Sequence, residues 1–234
     1  MSLCLAPPAP AVAADPAATL TPLLGTPYRD DGVDDPTGRH TLFATPSATF
    51  SPPGLNCSGF VTTASRSLLA RPLPLEAVKR DRKGDSGPGS PRGEDWDFGY
   101  DLICNITEGL PRRLLIPGTP ETLDPATLDA SRMRGFPLHD AAAWKDVLSR
   151  IHPGELVLAT LSKEKDGHLR YYHVGLLFAD SRGHIFLQHA TPGSGTHRLE
   201  LSSPAGMATL NKEFAEKRFG EKWILLVAVP LPRP

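Results

Sequence analysis

The chain has 234 residues, 40% of them hydrophobic and 22% charged, with a formal net charge of -1 and an isoelectric point near 6.7. This size and balance suit one principal domain with a sizeable core, and the lack of any basic block argues against nucleic acid as a partner. No apolar run approaches the roughly 18 residues that a membrane span needs.

The opening stretch MSLCLAPPAPAVAADP is rich in alanine and proline, and Val12-Ala13-Ala14 before Asp15 fits the small-residue pattern that signal peptidase reads. Residues 1–20 are therefore expected to be the remnant of a leader on an exported protein, periplasmic or extracellular. A flexible tail is the alternative, because a positive n-region and a full apolar stretch are missing. Cys4 lies in this segment, and residues 21–234 are expected to form a single domain.

From Leu23 to Pro53 turn formers dominate, which predicts an ordered loop region. Cys57 then opens a run in which Phe60, Val61, Ala64 and Leu68 recur at helical spacing, so an amphipathic helix starts with the cysteine in its first turn and ends before Pro72. Lys79 to Asp97 is charged and rich in Gly and Pro, with nothing to bury until Trp96, and reads as a surface loop. Phe98 to Pro137 mixes short apolar patches with breakers and resists assignment; residues 71–140 as a whole are taken as an insertion.

Asp140 caps a second helix that carries Trp144, Val147, Leu148 and Ile151 on one face, and Pro153-Gly154 stops it. Four β-rich runs follow, Glu155 to Leu161, Tyr171 to Phe178, Ile185 to His189 and His197 to Leu201, as an antiparallel meander. Ser203-Pro204 opens a third helix with Met207, Leu210 and Phe214 on one side, and Ile224 to Val229 is a last strand. The predicted class is α+β, the Cys57 helix packing on a central antiparallel sheet of about five to six strands.

A thiol attacks as the thiolate, and the unpaired amides and dipole of a helix N-terminus lower a cysteine pKa, so position alone makes Cys57 a candidate nucleophile. Ser58 and Gly59 leave backbone amides near Cys57 open to an oxyanion. The alternative is a buried structural cysteine. A Cys57–Cys104 disulfide would be ordinary in an exported protein, but the reactive reading of Cys57 argues against it and leaves Cys104 a buried spectator.

On the predicted strand Tyr171 to Phe178, His173 shares a face with Gly175 and Leu177, and the small neighbour leaves room for a substrate. His189 lies on the next strand, and a turn centred on Ser181 puts the two histidines directly opposite each other. Cys57, His173 and His189 could thus act as nucleophile, base and orienting group. Metal binding is disfavoured, because His168, His173, His184 and His189 lack the close spacings that zinc sites use. His40, His139, His152, His168 and His197 are read as incidental, and no cofactor is expected.

With these residues in place the chain resembles the NlpC-type papain-fold peptidoglycan peptidases. The resemblance is carried by Gly25-Thr26-Pro27-Tyr28, Asn56-Cys57-Ser58-Gly59, Ile151-His152-Pro153-Gly154-Glu155, His173-Val174-Gly175 and His189-Ala190, in the family's order. It implies a papain-like catalytic domain in which Cys57 is the nucleophile, His173 the general base and acid, and His189 the orienting group. It further implies that Tyr28 assists near the thiol, and that the substrate is the γ-D-glutamyl to diamino-acid bond of stem peptides.

Asn56 stands where the family has an acid that holds a free substrate amine, so Asp30 or Asp31 is the candidate for that negative charge, and Ser58 lines the same entrance. The insertion is expected to roof the cleft around Trp96, Phe98 and Tyr100. A monomer without protein partners is expected. Two other functions stay open at this point: an amidase or acyltransferase on another acyl substrate, and a non-catalytic wall-binding module.

Overall fold

Ordered packing begins inside the stretch expected to be a leader or tail. In the computed structural model, which describes residues 15–165, 167–215 and 220–232, the Asp15 carboxylate caps helix α1 (Pro16–Leu20) and Leu20 is fully buried. Gln188 donates to the Leu20 carbonyl at 3.2 Å and Arg198 to that of Ala17 at 2.9 Å, which ties the segment to the domain. Cys4 and Val12-Ala13-Ala14 lie outside the described residues. The loop region that follows holds a small antiparallel ribbon, β1 (Gly32–Asp34) with β2 (His40–Leu42).

Helix α2 (Cys57–Leu69) starts where its period predicts. Asn56 Oδ1 accepts from the Gly59 amide at 2.7 Å, satisfying one of the orphan donors of the first turn. Ala70 in the left-handed region then ends the helix ahead of Pro72. Gly59 is there for space: a Cβ would lie 1.9 Å from the Gly32 carbonyl oxygen, so the first turn sits directly on β1.

A short α3 (Leu75–Val78) leads into the loop region, where Asp81 gathers the amides of Lys83, Gly84 and Ser86. The expected insertion is part of the core. Its helix α4 (Phe98–Ile106) buries Tyr100, Leu102, Ile103, Cys104 and Ile106 to 2% exposure or less. Two short strands follow, β3 (Arg113–Leu114) and β4 (Phe136–Pro137). Asp140 caps α5 (Ala141–Leu148) by accepting from the Ala142 and Ala143 amides, as its sequence suggests.

The meander comprises β5 (Glu155–Lys165), β6 (His168–Ala179), β7 (Ile185–Thr191) and β8 (Gly195–Glu200). Ser203 caps α6 (Pro204–Glu213), and β9 (Lys222–Pro230) completes the set. The antiparallel sheet runs β3-β9-β5-β6-β7-β8, with β4 also on β9, giving seven strands. The two beyond the five runs named from the sequence are β3 and β4, two-residue strands too short to show a period.

Alternation along the strands sends apolar side chains into cores on both faces. Leu158, Val174, Leu176 and Val227 pack with α2 and α4, whereas Val157, Ala159, Leu177 and Leu226 pack with α5 and α6. One irregularity matters for the site. The β5–β6 ladder pairs Leu161 with His173 but Ser162 with Tyr171, so Tyr172 is a bulge residue. Without it His173 would share the face of Tyr171; with it, Tyr171 faces α4 and His173 faces α6, 5.1 Å from the Phe214 ring.

Candidate active site

Three stretches bring the thiol to the sheet. The backbone of Gly25-Thr26 pairs with β8, the Gly25 amide donating to Thr196 O and the Thr196 amide to Thr26 O, both at 2.8 Å. Gly195 permits this approach, since a Cβ there would lie 2.4 Å from Thr26 O. The Leu55 amide donates to Pro27 O at 3.0 Å, which seats Tyr28 beside the N-terminus of α2. Cys57 is half-buried and 3.9 Å from the Ser58 hydroxyl.

The expected lowering of the thiol pKa does not hold. Burial pushes Cys57 up, and the Val174 amide, the Ser58 hydroxyl and amide and the Cys57 amide only partly oppose it. Those donors reach the sulfur itself and favour its thiolate form. Cys57 and Cys104 are both free thiols, and burial raises Cys104 to about 12.

The β6–β7 ladder pairs Leu176 with Gln188 through Ala179 with Ile185, centring the turn on Arg182 rather than on Ser181. His173 and His189 are therefore diagonal neighbours, not direct partners. Gly175 provides the space for this: a Cβ would meet His189 Cβ at 3.3 Å and Leu187 Cδ1 at 2.9 Å. The room beside His173 is thus filled by His189 and not reserved for a substrate. The paired ladder ends before His173, although both strands continue. At this parting the α2 N-terminus comes up from one face and His173 from the other, and both line one cavity.

His173 Nε2 lies 2.9 Å from His189 Nδ1, with the rings edge to face and His189 fully buried. Behind them His189 Nε2 is 3.2 Å from one Glu213 carboxylate oxygen, while His197 Nε2 is 2.9 Å from the other. Burial drives His173 well below the ordinary imidazole range, with His189 adding to the fall and Glu213 opposing it. Burial likewise lowers His189 against the pull of Glu213, whereas the hydrogen bond to Glu213 raises His197. Burial would raise Glu213, but the two histidines outweigh it and hold the carboxyl at about 2.

These contacts set the protons. With both buried rings neutral, the carboxylate draws the His189 proton to Nε2, so Nδ1 accepts and His173 Nε2 donates. The remaining nitrogen, His173 Nδ1, is then a lone pair. Glu213 and His197, neither singled out in the sequence, thereby set which His173 nitrogen can accept a proton.

The cavity, about 540 Å³, is lined among others by Tyr28, Cys57, Lys163, Tyr172, His173 and Glu213. Tyr28 is raised to about 12 by burial, by the thiol and by the Asp30 carboxylate that takes its hydroxyl. The other expected contact residues fare differently. Asn56 Oδ1 is committed to capping, Ser58 is buried, and Asp31 accepts from the Ala44 amide at 2.8 Å and faces a separate cavity beside Phe43 and Phe98. The insertion does not roof this cleft either, because Trp96 and Tyr100 are buried against Tyr171 instead. Lys163 and Tyr172 were missed; the Lys163 ammonium sits 4.6 Å from the Tyr172 ring centre.

No protein-family model matches the chain, and no curated protein sequence does. Among solved structures it is similar to an N-acetylmuramoyl-L-alanine amidase from Bacteroides uniformis, at 15% identity and a TM-score of 0.49, over 92% of this chain and 99% of that one.

Proposed function

We propose that this protein is an exported thiol hydrolase of the NlpC type that cuts amide bonds in peptidoglycan stem peptides, with Cys57 as nucleophile, His173 as base and acid, and His189 as the orienting group. The observation that carries this reading is the buried 2.9 Å His173–His189 contact on the wall of a cavity that Cys57 also lines. The order of the motifs from Gly25 to His189 supports the substrate class.

The resting pair is neutral, because burial raises the thiol and lowers the imidazole. On substrate binding the Cys57 sulfur attacks the carbonyl carbon and its proton passes to His173 Nδ1. The C–N bond breaks as His173 returns that proton to the leaving amine. Water then attacks the thioester, giving one proton to His173, and the carboxylic acid leaves as the thiol is restored. The Cys57 and Ser58 amides hold the oxyanion. Lys163 suits a stem-peptide carboxylate, and Asp30, whose carboxylate already takes the Tyr28 hydroxyl beside the thiol, suits a substrate ammonium better than Asn56 or Asp31, which are held in the α2 cap and at the Ala44 amide.

Incubation with purified sacculi and with a γ-D-glutamyl-diaminopimelate peptide tests the reading. Mass spectrometry is expected to find fragments with one added water and a new diamino-acid amine, and none with Cys57→Ala. Muropeptides left intact after long incubation overturn the peptidase, and cleavage between sugar and peptide moves the reaction to the amidase class.

A further inference from the structure

The polar cluster behind His173 has the makings of a metal site. His189 and His197 are cross-strand partners on β7 and β8 with ring centres 4.4 Å apart, and Glu213 reaches them from the end of α6. One ligand atom from each of the three lies within 4.8 Å of the others. The two nitrogen-to-carboxylate separations, 3.2 and 2.9 Å, approach the roughly 3.3 Å between neighbouring donors of a tetrahedral zinc ion with bonds of about 2.0–2.1 Å.

Two further observations are compatible with a cation there. His189 Nε2, on a fully buried ring, meets no well-aligned acceptor among the described residues: the Glu213 oxygen at 3.2 Å attracts its proton but lies off the N–H direction. His197 Nδ1 lies 3.0 Å from the Gly195 carbonyl, to which it can only donate. Its Nε2 then meets the Glu213 oxygen through a second proton, or through a metal ion that takes that proton's place. A ring whose far N–H is fixed by a backbone carbonyl is the arrangement that presents the other nitrogen to a metal.

We propose that His189 Nε2, His197 Nε2 and the Glu213 carboxylate bind one transition-metal dication of the zinc class, entering from the cavity that Glu213 lines, and that its binding switches off the Cys57–His173 pair. The second part rests on the functional reading above; the first does not. A metal on His189 Nε2 displaces the proton there and puts a proton on Nδ1, which becomes a donor. His173 Nε2 must then accept, so the single proton of that neutral ring moves to Nδ1. The atom that should take the thiol proton is already protonated. His197 gives up its Nε2 proton to solvent as its nitrogen binds the ion.

Calorimetric titration of the metal-stripped full chain with zinc chloride tests the site, with cobalt(II) absorption reporting the donors. One ion per chain is expected for the native protein and for Cys57→Ala, with binding at least about tenfold weaker in both Glu213→Gln and His197→Gln. Loss of binding in Cys57→Ala, or a thiolate charge-transfer band with cobalt, puts the metal on the sulfur and overturns the proposal. Unchanged affinity in the two ligand variants, their folding checked by circular dichroism, also overturns it. For the switch, zinc at a concentration that fills the native site but not the weaker site of His197→Gln is expected to slow iodoacetamide labelling of Cys57 in the native protein and not in the variant. An unchanged labelling rate, or hydrolysis that rises with zinc, removes the switch while leaving the site. Neither binding nor labelling requires a substrate, so a wrong substrate class would leave both results standing.

Discussion

The two faces of the sheet reach the same cavity by different means. On the α2 face the thiol is positioned by local devices: a capping asparagine, a glycine that lets the first turn rest on β1, and a helix of ordinary period. On the α6 face His173 is positioned by a chain of contacts that joins β6, β7, β8 and α6, from His173 through His189 to Glu213 and His197. The difference teaches that a thiol can be placed by its neighbours in sequence, whereas the proton state of an imidazole on the same cavity is set by residues brought together only by pairing and packing.

The largest expected effect separates the chemistry from both scaffolds. Cys57→Ala should cost at least about 10³-fold in amide hydrolysis while changing unfolding free energy by no more than about 1 kcal/mol. Stopped assays beside urea titrations check this, and residual turnover near the native rate would remove the thiol from the mechanism. Gly59→Ala makes the opposite test on the same helix. Its Cβ would meet backbone, not a side chain that can move, so a loss of about 3 kcal/mol or more is expected, read as a lower urea midpoint.

A second test of the α2 face is electrostatic. Burial raises Asp101 on α4 from its ordinary 3.8 to about 7, against the pull of the Arg82 amide. A raised folded-state value means that the stability of the protonated form is whole below about pH 4 and is lost as pH rises to about 7. Asp101→Asn mimics that form, so its stability relative to the native protein should improve by up to about 3 kcal/mol between pH 4 and pH 8. Urea midpoints at the two pH values measure the change, and a constant difference would mean that the carboxyl is ionised throughout.

The contrast between the faces also explains what could be read from sequence. Helices α2, α5 and α6 and each long strand were legible, because caps and periods of 2 or 3.6 are local properties, whereas α1, capped by Asp15, was hidden in a stretch that reads as a leader or tail. The strands β3 and β4 were not, since two residues carry no period and only β9 defines them. His173 and His189 were legible as a pair, but not their register. The Asp180 carboxylate accepts the Arg182 and His184 amides, shifting the turn centre by one residue. His197 had a readable signal: a turn centred on Gly193 puts it opposite His189. Glu213 had none, since beside Leu210 and Phe214 it reads as an ordinary charge on the outer side of an amphipathic helix.

On the α6 face Glu213→Gln should lower kcat about tenfold with KM nearly unchanged, because the amide keeps the shape but no longer fixes the His189 proton. The pH profile distinguishes this from a packing defect. With the carboxylate gone, His197 loses the hydrogen bond that raises it, so its NMR titration should move to lower pH. A slower enzyme with the His197 titration unmoved would deny Glu213 its role in setting protons.

The smallest effect returns to the cap of α2. Asn56→Ala leaves the Gly59 amide without its 2.7 Å acceptor, and loss of such a cap costs about 1 kcal/mol. Asn56→Asp keeps the acceptor and adds the negative charge that the helix dipole favours, so it should be at least as stable as the native protein. The same aspartate would also supply the acid that the proposed NlpC-type reading expects before the cysteine. A gain in stability with no gain in turnover of peptides bearing a free amine would mean that this position serves the helix alone, and that the ammonium, if bound, is held at Asp30.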